Sequence, residues 1–203
     1  MPATKVPIPH NIYQLKITLL GTRPPIWRRV LVPADLTLAQ FHDVIQVAMG
    51  WENDHLHEFR VGRQRYGIPD PMDDFMGGTA CISEKKVRLS DVLSRKGSRA
   101  EYTYDFGDTW EHSIVVEKVL SPEPGTAYPV CTAGERRGPP EDCGGPGGYY
   151  DLLEAIRDPE HERHEEMLEW VDEDFDPDAF SVDDVNRRLA PPQRRRAKET
   201  GAT

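Results

Sequence analysis

Period-two alternation of apolar and polar residues dominates the first two-thirds of the chain. Tyr13, Leu15, Ile17 and Leu19 fall on one side of Ile12–Leu20, which predicts a half-buried strand. Gly21-Thr22-Arg23-Pro24-Pro25 turns the chain into a second strand, Ile26–Val32, rich in β-branched and aromatic residues and closed by Pro33. The period then changes. Thr37-x-x-Gln40 is a capping box, and Leu38, Phe41, Ile45 and Ala48 draw an apolar stripe that stops at Gly50, which predicts a helix. Alternation resumes over His55–Val61. Gly67–Gly78 reads as loop, and Leu89–Leu93 as a short helix with Ser90 as its cap. Ala100–Phe106 and Trp110–Leu120 form the strongest strand pair, a hairpin folded across Gly107-Asp108.

Beyond the hairpin, Pro and Gly crowd residues 121–148, which predicts one long ordered loop. Helical patterns follow at Tyr149–Arg157, from Pro159 to about Val171, and from about Asp178 to Leu189. The expected fold class is therefore α+β: an antiparallel sheet, one packed helix and a helical C-terminal subregion. Residues 1–11 are expected to be a flexible lead, 12–189 a single α+β domain, and 190–203 a basic tail without periodicity.

Composition narrows the function. The 203 residues carry a net charge of −10, which argues against a protein built mainly to coat nucleic acid, because phosphate neutralisation needs a basic surface. The acid concentrates between Asp151 and Asp184, while Arg23–Arg29, Arg60–Arg65 and Arg194–Lys198 are locally basic. No apolar run approaches a membrane span, and Met1–His10 has no apolar signal core. Three cysteines cannot all pair. The expectation is a cytoplasmic, reduced protein with no membrane partner.

Chemistry-bearing side chains gather in three remote segments: His55-Leu56-His57-Glu58-Phe59, Asp105 through His112, and Cys131 with Glu141-Asp142-Cys143-Gly144-Gly145. If they converge, they line a ligand pocket of His55, His57, Asp105, Asp108, Trp110, His112, Glu141 and Asp142. His57 and His112 alternate with apolar residues, so they stand either as hydrogen-bonded core histidines or as ligands. Asp108 suits a hairpin cap, and Asp105 either orients a histidine, binds metal or is solvated. A His57, His112, Cys131, Cys143 set is compatible with zinc, although no close C-x2-C pair supports it. Cys143 as a thiol nucleophile is disfavoured by the neighbouring Glu141 and Asp142, which raise a thiol pKa. The Gly144–Gly148 run lacks the Lys-Ser/Thr of a phosphate loop. Arg28 and Arg29 beside Trp27 suit a nucleic-acid surface, but alternating exposed arginines on a strand are the commoner case.

Four motifs occur in order: Ile26-Trp27-Arg28-Arg29-Val30; Met49-Gly50-Trp51 followed by His55-Leu56-His57-x-Phe59; Tyr104-Asp105-Phe106-Gly107-Asp108-x-Trp110-x-His112; and Pro139-Pro140-Glu141-Asp142-Cys143-Gly144-Gly145. Together, over roughly residues 10–185, they resemble the family named after the third open reading frame of the Ri plasmid pRiA4b. Its members are often labelled insertion-element passenger or resolvase-like (TnpR-like) proteins. The resemblance implies a compact α+β domain of bacterial or archaeal plasmid or mobile-element origin, and implies no reaction. The resolvase label fits badly. Tyr13–Leu20 carries no nucleophilic serine, and the C-terminal helices are acidic where a recognition helix is basic.

Three functions remain open. The leading one is a binding or regulatory protein whose pocket takes an unknown small ligand or a divalent metal. The second is a metal-dependent hydrolase with His57, His112 and a cysteine as ligands, zinc as the metal, and Asp105 or Glu141 as catalytic base. The third is a nucleic-acid accessory factor acting through Arg28, Arg29 and the Arg194–Arg196 tail. Whether the protein is an enzyme is left undecided by sequence.

Overall fold

The computed structural model describes residues 11–69, 80–171 and 174–190. The expected N-terminal lead, most of the Gly67–Gly78 loop and the basic tail lie almost wholly outside the described residues. The strands run β1 (Ile12–Leu19), β2 (Ile26–Pro33), β3 (His57–Val61), β4 (Gln64–Gly67), β5 (Cys81–Ser83), β6 (Arg99–Tyr104), β7 (Trp110–Leu120) and β8 (Val130–Glu135). The helices are α1 (Leu38–Met49), α2 (Leu89–Val92), α3 (Gly145–Arg157), α4 (His164–Trp170) and α5 (Val182–Leu189), with one 3-10 turn at Glu84–Lys86. Among the described residues all eight strands join one sheet in the order β5-β4-β3-β6-β7-β1-β2-β8. The expected antiparallel sheet is mostly that; β4 and β5 are parallel.

The alternation read from sequence becomes the core. Tyr13, Leu15, Ile17 and Leu19 of β1, Val30 and Val32 of β2, and Ile114 and Val116 of β7 are all buried. Leu38, Phe41, Ile45 and Ala48 of α1 belong to the same apolar cluster. The capping box forms as expected: Gln40 N–H donates to the Thr37 hydroxyl, and Thr37 N–H to the Gln40 side chain. Gly50 closes the helix at φ 98°.

Several expectations need correction. The 121–148 stretch is not one loop: it contains β8 and the start of α3. α2 is capped from Arg88, not Ser90. α4 begins at His164 and α5 at Val182, each later than the sequence pattern suggests. β8 is the sheet edge, and α5 covers it in an unusual manner. Cys131 N–H donates to Asn186 Oδ1 at 2.7 Å, and Asn186 Nδ2 donates to the Cys131 carbonyl at 2.9 Å, so one amide side chain pairs with the edge as a further strand would.

Arg28 and Arg29 do not form a free basic surface. Arg28 is 2% exposed and donates to the carbonyls of Ala48, Trp27 and Glu135, with Phe180 stacked on its guanidinium. Burial lowers its pKa to about 10. Arg29 makes a two-pronged pair with Glu117, at 2.6 and 3.0 Å, beside Trp27. Strand parity explains the difference. Position 28 shares the inward face with Ile26 and Val30, so alternation buries an arginine where exposure was expected.

Candidate metal centre

Parts of the three remote segments meet, His55–Leu56, Asp105–Asp108 and Glu141–Gly144, with the β6–β7 hairpin as the hub, whereas Cys131 stays apart on β8 beside β2 and Asn186. Tyr104 pairs opposite Trp110, and residues 105–109 form the connecting turn. Asp105 holds a left-handed backbone at φ 55°, which a non-glycine residue adopts only when its surroundings impose it. Its N–H donates to the Leu56 carbonyl at 2.9 Å, and its carbonyl accepts from Thr109 N–H at 2.6 Å. Its carboxylate is oriented too: Oδ1 accepts from Gly107 N–H at 2.8 Å. Oδ2 then faces His55 Nδ1 at 3.8 Å.

The Pro139–Gly145 loop arrives from the other side and is clamped at several points. The Trp51 indole N–H donates to the Pro139 carbonyl at 2.9 Å. Gly138 passes so close to the end of α1 that an added Cβ would sit 2.1 Å from the Met49 carbonyl oxygen. Glu141 Oε1 accepts from the Tyr104 hydroxyl at 2.7 Å and from Glu52 N–H at 3.1 Å. Burial and that carboxylate raise the Tyr104 pKa, so the phenol keeps the proton it donates. Asp108 is not a simple turn cap: its Oδ2 accepts from Gly144 N–H at 3.0 Å, tying the hairpin to the loop. Gly145, at φ 68°, approaches Asp108 so closely that a Cβ would lie 2.3 Å from its carbonyl oxygen.

These clamps place Asp142, itself left-handed at φ 57°, beside His55. Asp142 Oδ1 lies 3.2 Å from His55 Nε2. That approach is short enough for an ion pair, yet Nε2 is buried without a hydrogen bond of acceptable geometry. We take the nitrogen as unengaged, because distance alone without alignment makes no hydrogen bond. One donor atom each from His55, Asp105 and Asp142 lie within 4.8 Å of one another, and they are the one such trio of His, Cys, Asp or Glu among the described residues. An imidazole and two carboxylates suit a borderline divalent cation, and three protein ligands leave positions for water or another ligand.

The expected zinc set of His57, His112, Cys131 and Cys143 does not assemble, because each side chain has another place. His57 Nε2 lies 2.9 Å from Glu84 Oε2, with both side chains buried. His112 is wholly buried, its Nδ1 bonded to the carbonyls of Trp110 and Tyr102 at 3.0 and 3.3 Å. Burial lowers its pKa to about 4, so the ring is neutral. Cys131 points its thiol at the Ala133 carbonyl, and burial raises its pKa. Burial first, then Asp108, pushes Cys143 up to about 12, which also removes it as a thiolate nucleophile. Trp110 is a core residue packed near Trp51 and Tyr149.

Residues not singled out from sequence complete the neighbourhood. His42 of α1 stacks on His57, rings 3.5 Å apart and 5° from parallel. Its Nδ1 lies 2.8 Å from the Tyr102 hydroxyl and its Nε2 2.6 Å from Asn53 Oδ1. Gln46 Nε2 donates to that same hydroxyl, so Tyr102 gives its proton to His42 Nδ1, and His42 Nε2–H donates to Asn53. The neutral tautomer agrees with a pKa that burial and then His57 lower to about 4. Only the position of His42 next to the Leu38/Phe41/Ile45 stripe hinted at this in the sequence; Glu84 sits in a stretch with no periodic signal.

A largely antiparallel sheet with helices packed on it and a His-Asp-Asp trio at the junction of hairpin, strand and Gly/Pro-rich loop defines a mixed α/β protein with a candidate cation site. The chain belongs to the plasmid pRiA4b ORF-3-like protein family, whose model matches residues 11–184. An uncharacterised protein of Sinorhizobium fredii (strain NBRC 101917 / NGR234), y4hQ, is 40% identical over 181 residues, 88% of this chain and 91% of its own. The crystal structure of a protein of unknown function, MM3350, from Methanosarcina mazei Go1 is 41% identical, with a TM-score of 0.77 over 86% of this chain and 97% of that one. No helix among the described residues is long and apolar enough to cross a membrane.

Proposed function

We propose that this protein is a divalent-metal-binding protein, with His55, Asp105 and Asp142 as ligands and zinc as the favoured ion, acting as a binding or regulatory factor of plasmid or mobile-element origin. The supporting observation is the grouping of three donor atoms within 4.8 Å of one another. Support also comes from the backbone: Asp105 and Asp142 both occupy the left-handed region, a cost the fold sustains where the side chains are needed. Asp105 is held by Gly107 N–H, the kind of outer hydrogen bond that fixes a metal-ligating carboxylate. Binding is favoured over hydrolysis because the two expected bases have other work. Asp105 faces the imidazole, and Glu141 anchors the loop through Tyr104 and Glu52.

The test is elemental analysis after dialysis against zinc and then metal-free buffer. One zinc per chain, lost in His55→Ala and kept in Cys143→Ser, supports the assignment. No zinc in the wild type, or full zinc in His55→Ala, overturns it.

A further inference from the structure

Two of the three proposed ligands sit on irregular backbone. His55 belongs to residues 51–56, between α1 and β3, and Asp142 to residues 136–144, between β8 and α3; neither stretch is helix or strand. Their backbone N–H groups have no ladder to join and need other partners. Tyr104 is the opposite case. It ends β6 with His57 of β3 opposite it on one side and Trp110 of β7 on the other, and it is buried. Trp51 stacks on its ring, centroids 4.9 Å apart and 25° from parallel, and the His55 imidazole meets the ring edge-on at 5.8 Å. The phenol therefore stands fixed on the sheet between two irregular segments. Its hydroxyl is donor and acceptor at once. The oxygen accepts Asp54 N–H at 3.1 Å and, over a longer contact, His55 N–H at 3.4 Å, while the O–H donates to Glu141 Oε1 at 2.7 Å. That carboxylate oxygen also accepts Glu52 N–H at 3.1 Å.

We propose that Tyr104 is the positioning residue of the cation site: its hydroxyl ties the His55 segment to the Asp142 loop and so sets the span between these two ligands. This role rests on the cation reading of the trio. The connection is short for every ligand. His55 is held through its own N–H, Asp142 follows Glu141, and Asp105 follows Tyr104 itself. Tyr104 acts on a cation only through the segments it ties, as an outer hydrogen bond orients a ligand. A drift of about 1 Å in either segment is enough to loosen such a site, and a group mounted on a strand resists that drift better than loop contacts alone. A tyrosine that merely fills the core would behave differently, since loss of its hydroxyl would lower stability and leave metal affinity unchanged. Tyr102 supplies that comparison. It is a wholly buried phenol on the same strand, bonded to His42 and Gln46 of α1 and to neither irregular segment.

The test compares full-length wild type, Tyr104→Phe and Tyr102→Phe for zinc affinity by chelator competition and for the visible absorption of bound cobalt(II), with circular dichroism to confirm folding. Tyr104→Phe is expected to lower zinc affinity about 10- to 100-fold and to shift the cobalt bands, whereas Tyr102→Phe lowers Tm and leaves both unchanged. In zinc-free protein, the amides of Asp54 and His55 should exchange at least about tenfold faster in Tyr104→Phe. Should that variant fail to fold, Glu141→Ala and Glu141→Gln replace it. Both remove the charge and only glutamine keeps an acceptor for the phenol, so affinity should fall further in Glu141→Ala. Zinc affinity equal to wild type in folded Tyr104→Phe, unchanged exchange at the two amides, an equal loss in Tyr102→Phe, or equal affinity of the two Glu141 variants overturns the role. Wild type that binds no zinc counts against the cation reading and the role together; wild type that binds, matched by Tyr104→Phe, counts against the role alone.

Discussion

Acid should unfold this protein in a way that one histidine accounts for in measurable part. His112 is fully buried, and both partners of its Nδ1 are carbonyls, so Nδ1 carries the hydrogen and Nε2 is a bare acceptor with no partner. Protonation would create a second N–H in a site that offers it nothing, near the Arg28 guanidinium. Burial is the larger cause of the lowered pKa and Arg28 adds to it. The sign follows directly. The folded state refuses a proton that the unfolded chain accepts below about pH 6.5, so the stabilisation is complete above that pH and is lost as pH falls toward 4. With a folded pKa of about 4 against 6.5, the loss from His112 alone is about 2 kcal/mol between pH 7 and pH 5, and about 3 kcal/mol by pH 4. Urea unfolding of wild type and His112→Phe at pH 7 and pH 5 measures it. Phenylalanine removes the titration at the cost of the Nδ1–H bonds, about 1–2 kcal/mol at pH 7. The gap between the proteins should close or reverse at pH 5. His42 titrates in the same window and in the same direction, so the variant keeps part of the acid slope. Parallel pH dependence of the two proteins would show that His112 does not resist protonation in the folded state.

Other consequences of the geometry are as direct. Asn186→Ala strips both hydrogen bonds from the Cys131 backbone at the sheet edge and should cost about 1–3 kcal/mol in thermal unfolding; an unchanged Tm would contradict the edge-pairing role. Gly138→Ala forces a methyl into the Met49 carbonyl, so the loop must shift or the protein loses about 2 kcal/mol or more. Trp51 fluorescence reads that shift, because its indole is bonded to Pro139, and a native spectrum with native stability would refute it. In a Cys81→Ser, Cys131→Ser background, Cys143, pushed up to about 12, should react with an aromatic disulfide at pH 8 more than about a hundredfold more slowly than free cysteine. Reaction at the rate of free cysteine would show a thiolate that the structure does not support.

The partial meeting of the three segments was legible in the sequence because it rests on local signals: strand alternation, a hairpin with Gly-Asp at its turn, and a glycine-rich loop that something must hold. Which side chains meet was less legible. Alternation put His55, His57 and Phe59 on one face, but β3 starts only at His57. His55 belongs to an irregular segment that follows Asn53 at φ 67°, which aims it at Asp105 while His57 turns to Glu84. No periodic pattern carries that bend. β8 was hidden for a similar reason, since its six residues lie between Pro/Gly-rich flanks and gain their stability from β2 and Asn186. Arg28 shows the opposite failure. Its strand position was correct, but polarity suggested exposure, whereas three carbonyls and an aromatic ring satisfy a buried guanidinium.

Anomalous diffraction from crystals soaked in zinc distinguishes a cation held by His55, Asp105 and Asp142, as proposed, from one held by the cysteines. A zinc peak is expected about 2.0–2.2 Å from a His55 ring nitrogen and from carboxylate oxygens of Asp105 and Asp142. A peak on Cys131, Cys143 or His57, or zinc bound with the trio unoccupied, would contradict the proposal.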